Sequence, residues 1–232
     1  MPRTARVVVA GAPHHVFLRG NNRRRLFSNV DDRREWLACL RLGLDASRCQ
    51  LHQLTLMTNH VHLIATPPEG DALSRLVKRT CQRYAQRRNA SRDCSGKLFE
   101  ERFHSKAIVD DAHLMTTTLY NDANAFRAGL VTGPLEHRWS TGPLHAGRAD
   151  GPIGPALWTP SGWYRRLGAT PAARAAAYLE LMHAYVGALP TVGVDDGMPA
   201  EDGDRYGRRV ERPDGVSARE GQMQWGKIPT RS

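Results

Sequence analysis

The strongest constraint on the fold is the order in which the apolar period changes between residues 14 and 128. His14 to Arg19 alternates, with Val16 and Leu18 set against His15, Phe17 and Arg19, which is the period of a half-buried strand. Gly20-Asn21-Asn22 breaks it. Residues 31–47 switch to helical spacing through Trp36, Leu37, Leu40 and Leu44, with Asp31 near the start. Leu51 to Met57 and His60 to Ala65 are strand-like runs joined by Thr58-Asn59, a two-residue hairpin loop in which Thr58 disfavours positive φ. Residues 71–89 return to a helix with Leu73, Leu76, Val77, Cys81, Tyr84 and Ala85 on one stripe. Phe103 to Val109 reads as a fourth strand. Asp110-Asp111 then cap a helix expected to run to about 124–128, before Gly129. The order β-α-β-β-α-β-α predicts an α+β, ferredoxin-like fold: an antiparallel sheet with helices on one face.

Downstream the pattern fades. Residues 133–160 are rich in Gly and Pro, residues 161–189 contain one or two further helices, and Ala172 to Leu189 is rich in helix formers. From 190 on, Gly, Asp, Arg and Pro dominate. The expected organisation is a catalytic domain over 1–132, a helical extension over 133–189 and a disordered tail over 190–232. The 232-residue chain has a net charge of +10, and the whole positive excess sits in residues 1–189. A basic body with interspersed aromatics suits a polyanion such as nucleic acid, and equally fits a membrane surface or solubility. The four cysteines, at 39, 49, 81 and 94, lack the spacing of a zinc knuckle and read as core residues or free thiols. The N-terminal apolar run is too short for a signal peptide and no later run approaches a membrane span, so a cytoplasmic protein without membrane partners is expected.

Two local patterns carry chemistry. In His60-Val61-His62, strand alternation puts both imidazoles on one face, a half-site for a divalent metal that needs a third ligand. An isolated His-x-His is as readily an ordinary polar pair, and the spacing alone does not decide. Tyr120 and Asn124 lie four apart in the third predicted helix, so they share a face. A tyrosine hydroxyl can attack phosphorus, and an asparagine carbonyl is a hard oxygen ligand for Mg²⁺ or Mn²⁺. The alternative is a core aromatic followed by a helix-ending asparagine.

Met57-Thr58-Asn59-His60-Val61-His62-Leu63-Ile64 resembles the Met-x-Asn-His-x-His-Leu motif of single-tyrosine transposases of the HUH class, and more specifically of REP-associated tyrosine transposases. Further matches follow in order: Pro2-Arg3 with Arg6, Gly11-x-Pro13-His14-His15-Val16, Arg19-Gly20-Asn21, Tyr84-Ala85 with Asn89, Gly96 to Phe103, Tyr120 with Asn124, Arg127 to Val131, and Trp139-Ser140. They cover about residues 1–140. The resemblance implies that His60 and His62 hold Mg²⁺ or Mn²⁺ with Asn124 as third ligand, and that Tyr120 is the nucleophile. The family usually has Asn-Pro-Val-Arg-Ala where this chain has Asn124-Ala125-Phe126-Arg127-Ala128. A proline would fix the helix end, whereas alanine lets the helix run on.

The implied activity is cleavage and joining of single-stranded or hairpin DNA through a 5′-phosphotyrosine, with no ATP. Arg75, Arg79, Arg83 and Arg87 recur every fourth residue and offer a backbone track, or a solvated helix face. Arg19 lies in a second basic cluster, Arg3 and Arg6 are candidates for reading bases near a hairpin foot, and Arg102 is a further phosphate-binding candidate. The alternative function is a non-cleaving nucleic-acid-binding protein derived from such an enzyme. A homodimer sharing its sites is left open.

Overall fold

Alternation along the strands builds a sheet with two unlike faces. A computed structural model describes residues 8–100 and 102–189. Its sheet comprises β1 (His14–Arg19), β2 (Gln50–Leu56), β3 (His60–Thr66) and β4 (His104–Ala107), in the order β2-β3-β1-β4. Every pairing is antiparallel. With α1 (Val30–Ser47) and α2 (Ala72–Ala90) as crossovers, this is the expected ferredoxin-like α+β arrangement. The fourth strand is shorter than the apolar run suggested.

The β2–β3 loop closes through Met57 N–H to the His60 carbonyl at 3.0 Å. Neither Thr58 nor Asn59 takes a positive φ. Their carbonyls instead accept the amides of Gly20, Leu26 and Phe27, so the turn is held by the segment that follows β1.

Val16, Leu18, Leu54, Leu56, Val61 and Leu63 face α1 and α2, meeting Trp36, Leu37 and Leu40 from the one and Leu73, Leu76, Val77 and Tyr84 from the other. Each such side chain, fully buried, contributes roughly 1.5–3 kcal/mol of transfer free energy. The two helices approach closely at Gly43, where a Cβ would stand 2.5 Å from the Thr80 hydroxyl. The Asn29 side chain caps α1 by accepting from the Asp32 amide at 2.8 Å.

The opposite face carries α3 (Asp111–Asp122), capped as expected by Asp110, which accepts from the His113 amide at 2.7 Å. The one-face arrangement thus holds for the crossover helices α1 and α2, while α3 takes the other side. A second apolar cluster forms there. It joins Ile64, Ile108, Leu114 and Leu119 to Trp163 and Tyr164 of α6 (Gly162–Arg166) and to Tyr178, Met182 and Tyr185 of α7 (Pro171–Gly187).

The third helix does not run on. It ends at Asp122, opens at Ala123 (ψ 1°), and resumes as the short α4 (Asn124–Arg127) before Gly129 at φ +67°. The Asn121 carbonyl accepts the Thr55 hydroxyl at 2.9 Å, which ties the last turn of α3 to β2 where the peptide opens. Tyr120 and Asn124 therefore belong to separate helical pieces rather than one continuous face.

Residues 133–189 share their packing with the sheet. Trp139, Leu144 and Ile153 enter the first core. The outer edge of β2 is sealed by Leu56 N–H to Trp139 O (2.9 Å), Thr141 N–H to Leu54 O (2.9 Å) and Thr159 N–H to Leu51 O (2.7 Å). An edge strand left open would present unpaired backbone groups to other chains. All four cysteines are free, Cys39 and Cys49 buried. Among the described residues no helix is long and apolar enough to cross a membrane. Arg3, Arg6 and the expected tail over 190–232 lie outside the described residues.

Candidate active site

Register fixes what the second face of the sheet displays. Phe17 is opposite His62, Arg19 opposite His60, and His15 opposite Ile64, while Thr55 is opposite His62 on the other side. Side chains two residues apart along a strand share a face. His60 and His62 accordingly lie together, ring centroids 5.0 Å apart and nearly perpendicular, at 8% and 4% exposure.

Each imidazole is held through its Nδ1. His62 Nδ1 meets His15 Nε2 at 3.0 Å, with the two rings stacked at 5.3 Å. His60 Nδ1 meets the Asn59 side-chain oxygen at 2.7 Å. A partner on one ring nitrogen fixes the tautomer and orientation of the ring. Burial first, and then the neighbouring His60 and His15, push His62 well below the ordinary histidine value. Burial, with His113 nearby, brings His15 down to about 4. For His62 and His15 the lowering favours the neutral form, which is the form that ligates metals.

Tyr120 reaches this cluster from α3. Its ring lies against His62 at 6.3 Å, edge to face, and the Arg127 guanidinium sits over the phenol ring at 4.4 Å. Tyr120 is half-buried. Among the described residues, Asn124 begins α4 at 5% exposure. Among those residues no three His, Cys, Asp or Glu side chains converge as a metal cage. The donor set displayed on this face is the pair of imidazoles of His60 and His62.

Beside the histidines runs an open cleft of about 450 Å³ lined by His15, Phe17, Arg19, Arg102, His104 and Lys106, among others. Arg19 and Arg102 thus fall next to the site. The arginine stripe does not. It rides on α2, across the sheet from His60 and His62. Two of its members are already engaged, Arg75 by Glu69 and Asp71 and Arg87 by Glu35. Arg79 is exposed and Arg83 half-buried.

Reading the sequence missed His15, Arg127 and a buried polar cluster around Asp122. His15 was within reach, since strand alternation puts it on the face of Phe17 and the antiparallel register then brings it to His62. Asp122 had no such signal, because its partners lie in the aperiodic stretch after residue 133.

Residues 8–120 match the family model of the IS200-like transposases, a span that ends on Tyr120. Among solved structures the chain is similar to a REP-associated tyrosine transposase bound to a REP hairpin, at 17% identity over 69% of this chain and 93% of that one, with a TM-score of 0.56. That likeness is one of fold. A transposase candidate from Deinococcus radiodurans R1 aligns at 18% identity over 50% of this chain and 93% of its own, with a TM-score of 0.35. No curated protein matches the chain.

Proposed function

Because the chain belongs to the IS200-like transposase family through residues 8–120, we propose that it cleaves and rejoins single-stranded DNA at hairpins, with Tyr120 as nucleophile. The observation that carries this reading is the meeting of three side chains from two elements: His60 and His62 side by side on β3, and the Tyr120 ring against His62. A structural tyrosine has no need of two buried imidazoles beside it.

In this reading the Tyr120 oxygen attacks the scissile phosphorus. The phosphorus–O3′ bond breaks, the 3′ oxygen leaves and takes up a proton, and a 5′-phosphotyrosine forms. One ester is exchanged for another, so a second 3′-OH can reverse the step and join strands without ATP. His60, His62 and Asn124 are proposed to hold Mg²⁺ or Mn²⁺, which would neutralise phosphate charge and orient the phosphorus for in-line attack. His15 keeps His62 in the tautomer that presents Nε2. Arg127 steadies the phenol by cation–π contact. The strand is proposed to run along the cleft past Arg19, Arg102 and Lys106, with Phe17 available to stack a base. Arg79 and Arg83 would touch only DNA that passes around the edge of the sheet. The fold likeness to a protein bound to a REP hairpin makes palindromic repeats of the source genome the substrates to try first.

The test incubates the full chain with 5′-flanked hairpin oligonucleotides from such repeats and Mg²⁺ or Mn²⁺. A denaturant-resistant protein–DNA band is expected for the wild type and not for Tyr120→Phe. An adduct that persists in Tyr120→Phe moves the nucleophile elsewhere. Tight binding without nicking or adduct under either metal would instead favour a protein that binds hairpins and no longer cuts.

A further inference from the structure

Two residues beyond Tyr120 stands a carboxylate that helix physics disfavours. Asp122 ends α3, at the negative end of the helix dipole, and its side chain is fully buried. Burying a charge is costly unless it is paired and hydrogen-bonded, and apolar groups of similar volume often stabilise as well or better. Asp122 is nonetheless surrounded by donors. Its Oδ1 is approached by Gln53 Nε2 (3.1 Å), Ser140 Oγ (3.0 Å) and Thr141 Oγ1 (3.4 Å). Its Oδ2 accepts from His145 Nδ1 (2.6 Å) and the Tyr178 hydroxyl (2.7 Å). These donors come from β2, from the strap that seals its edge, from α5 (Gly142–His145) and from α7.

The neighbouring residue is fixed as well. Asn121 donates to Gln53 Oε1 at 3.0 Å, and its carbonyl accepts from Thr55. His145 cannot step aside, because the rings of Trp158, Tyr164 and Tyr178 surround it at 4.9–5.2 Å and its carbonyl accepts the Tyr164 hydroxyl. Seven residues past Tyr178, on the same face of α7, Tyr185 belongs to the apolar cluster against which Tyr120 packs. One face of α7 therefore follows α3 from Tyr120 to Asp122.

We propose that the Asp122 cluster is the anchor that sets the position of Tyr120, so that His145 and Tyr178, beyond the family's matched span, are positioning residues for the nucleophile. The proposal rests on the reading of Tyr120 as nucleophile, and its test separates the two. A helix end held from four directions fixes where the phenol oxygen sits, and a displacement of about 1 Å can cost about a hundredfold in rate.

Tyr178→Phe removes one donor and keeps the ring. Asp122→Asn keeps the shape and replaces one acceptor oxygen by an amide NH2 that faces other donors. Full-length variants are compared with wild type in single-turnover adduct formation at saturating hairpin oligonucleotide, in hairpin Kd, and in hydrogen exchange. The expected result for Tyr178→Phe is a fall of about tenfold in adduct rate, with Kd within about twofold. Amides of residues 119–124 should exchange about tenfold faster while those of β1 and β3 are unchanged. Asp122→Asn should do the same more strongly. If it is unfolded at the assay temperature, Tyr178→Phe decides. Unchanged exchange over 119–124, or a wild-type adduct rate in Tyr178→Phe, overturns the proposal. Exchange that rises evenly over the whole domain also overturns it, since that is loss of stability without positioning. Should the wild type form no adduct, the nucleophile reading fails, and the exchange arm still decides whether this cluster holds the Tyr120 turn.

Discussion

The two faces of the sheet are made from the same strands and do opposite things. Toward α1 and α2, β3 presents Val61, Leu63 and Ala65 to a continuous apolar core. Toward α3 it presents His60 and His62, each against another polar side chain. One face uses burial to stabilise the fold. The other uses the rigidity so obtained to hold buried imidazoles, a phenol and a guanidinium in register. Substitutions on the two faces should therefore separate stability from activity.

The largest expected effect is on the polar face. Tyr120→Phe should lower adduct formation by about three orders of magnitude or more, while hairpin affinity stays within a few-fold. The ring contacts with His62 and Arg127 survive in phenylalanine, so unfolding free energy should change by no more than about 0.5 kcal/mol. A variant that loses both activity and stability would show that the phenol belongs to the fold, and the contrast between the faces would collapse.

The mirror experiment is Leu63→Ala, one residue from His62 and pointing the other way. Leu63 is 1% exposed. Its truncation should cost about 2–5 kcal/mol in urea denaturation, through lost transfer free energy and the cavity left behind. Below the new melting transition, adduct formation per folded molecule should stay within a few-fold of wild type. A selective loss of activity with little destabilisation would mean that the two faces are coupled through the strand itself.

How much of this contrast was legible follows from what sets each part. The sheet, its two crossover helices and the shared face of His60 and His62 are dictated by local period, and local period is written in the sequence. The break at Ala123 was not legible. Alanine is a good helix former, and the helix stops because Thr55, 66 residues earlier, binds the Asn121 carbonyl. The Asp122 cluster was hidden for the same reason, since its donors are non-local and lie partly in a stretch without periodicity. The arginine stripe was legible as a stripe. Its side of the sheet became known only once α2 was packed, because a charge pattern carries no information about distance from a histidine on another strand.

That last point sharpens into a measurement of salt dependence. Arg19→Ala with Lys106→Ala, both beside the cleft, should lower the slope of log Kd against log salt by about 0.7 per lost phosphate contact on single strands. Arg79→Ala with Arg83→Ala should lower it less. Equal effects from the two pairs would put DNA on both faces, and a larger effect from the α2 pair would move the track to the helix.

The smallest expected effect concerns the edge where the two faces meet residues 137–159. His52 Nδ1 donates to the Thr159 carbonyl at 2.8 Å, and its Nε2 meets the Thr66 hydroxyl at 2.8 Å. His137 Nε2 bonds the Leu56 carbonyl at 3.0 Å. Burial holds both rings below the ordinary histidine value of 6.5, against the opposing pull of these backbone bonds. In the unfolded chain each would protonate near pH 6.5, so below that pH the unfolded state binds more protons than the folded one. Their contribution is thus complete above about pH 6.5 and is lost as pH falls through the folded values. Unfolding free energy should decline from pH 7.5 to pH 5.5, and His52→Gln with His137→Gln should flatten part of that decline while lowering stability at pH 7.5. The remaining slope would belong in part to His15 and His62, which burial also lowers. A double variant with the wild-type slope would show that the clamp on β2 does not titrate in this range, and that protonation of the polar face alone makes the protein acid-sensitive.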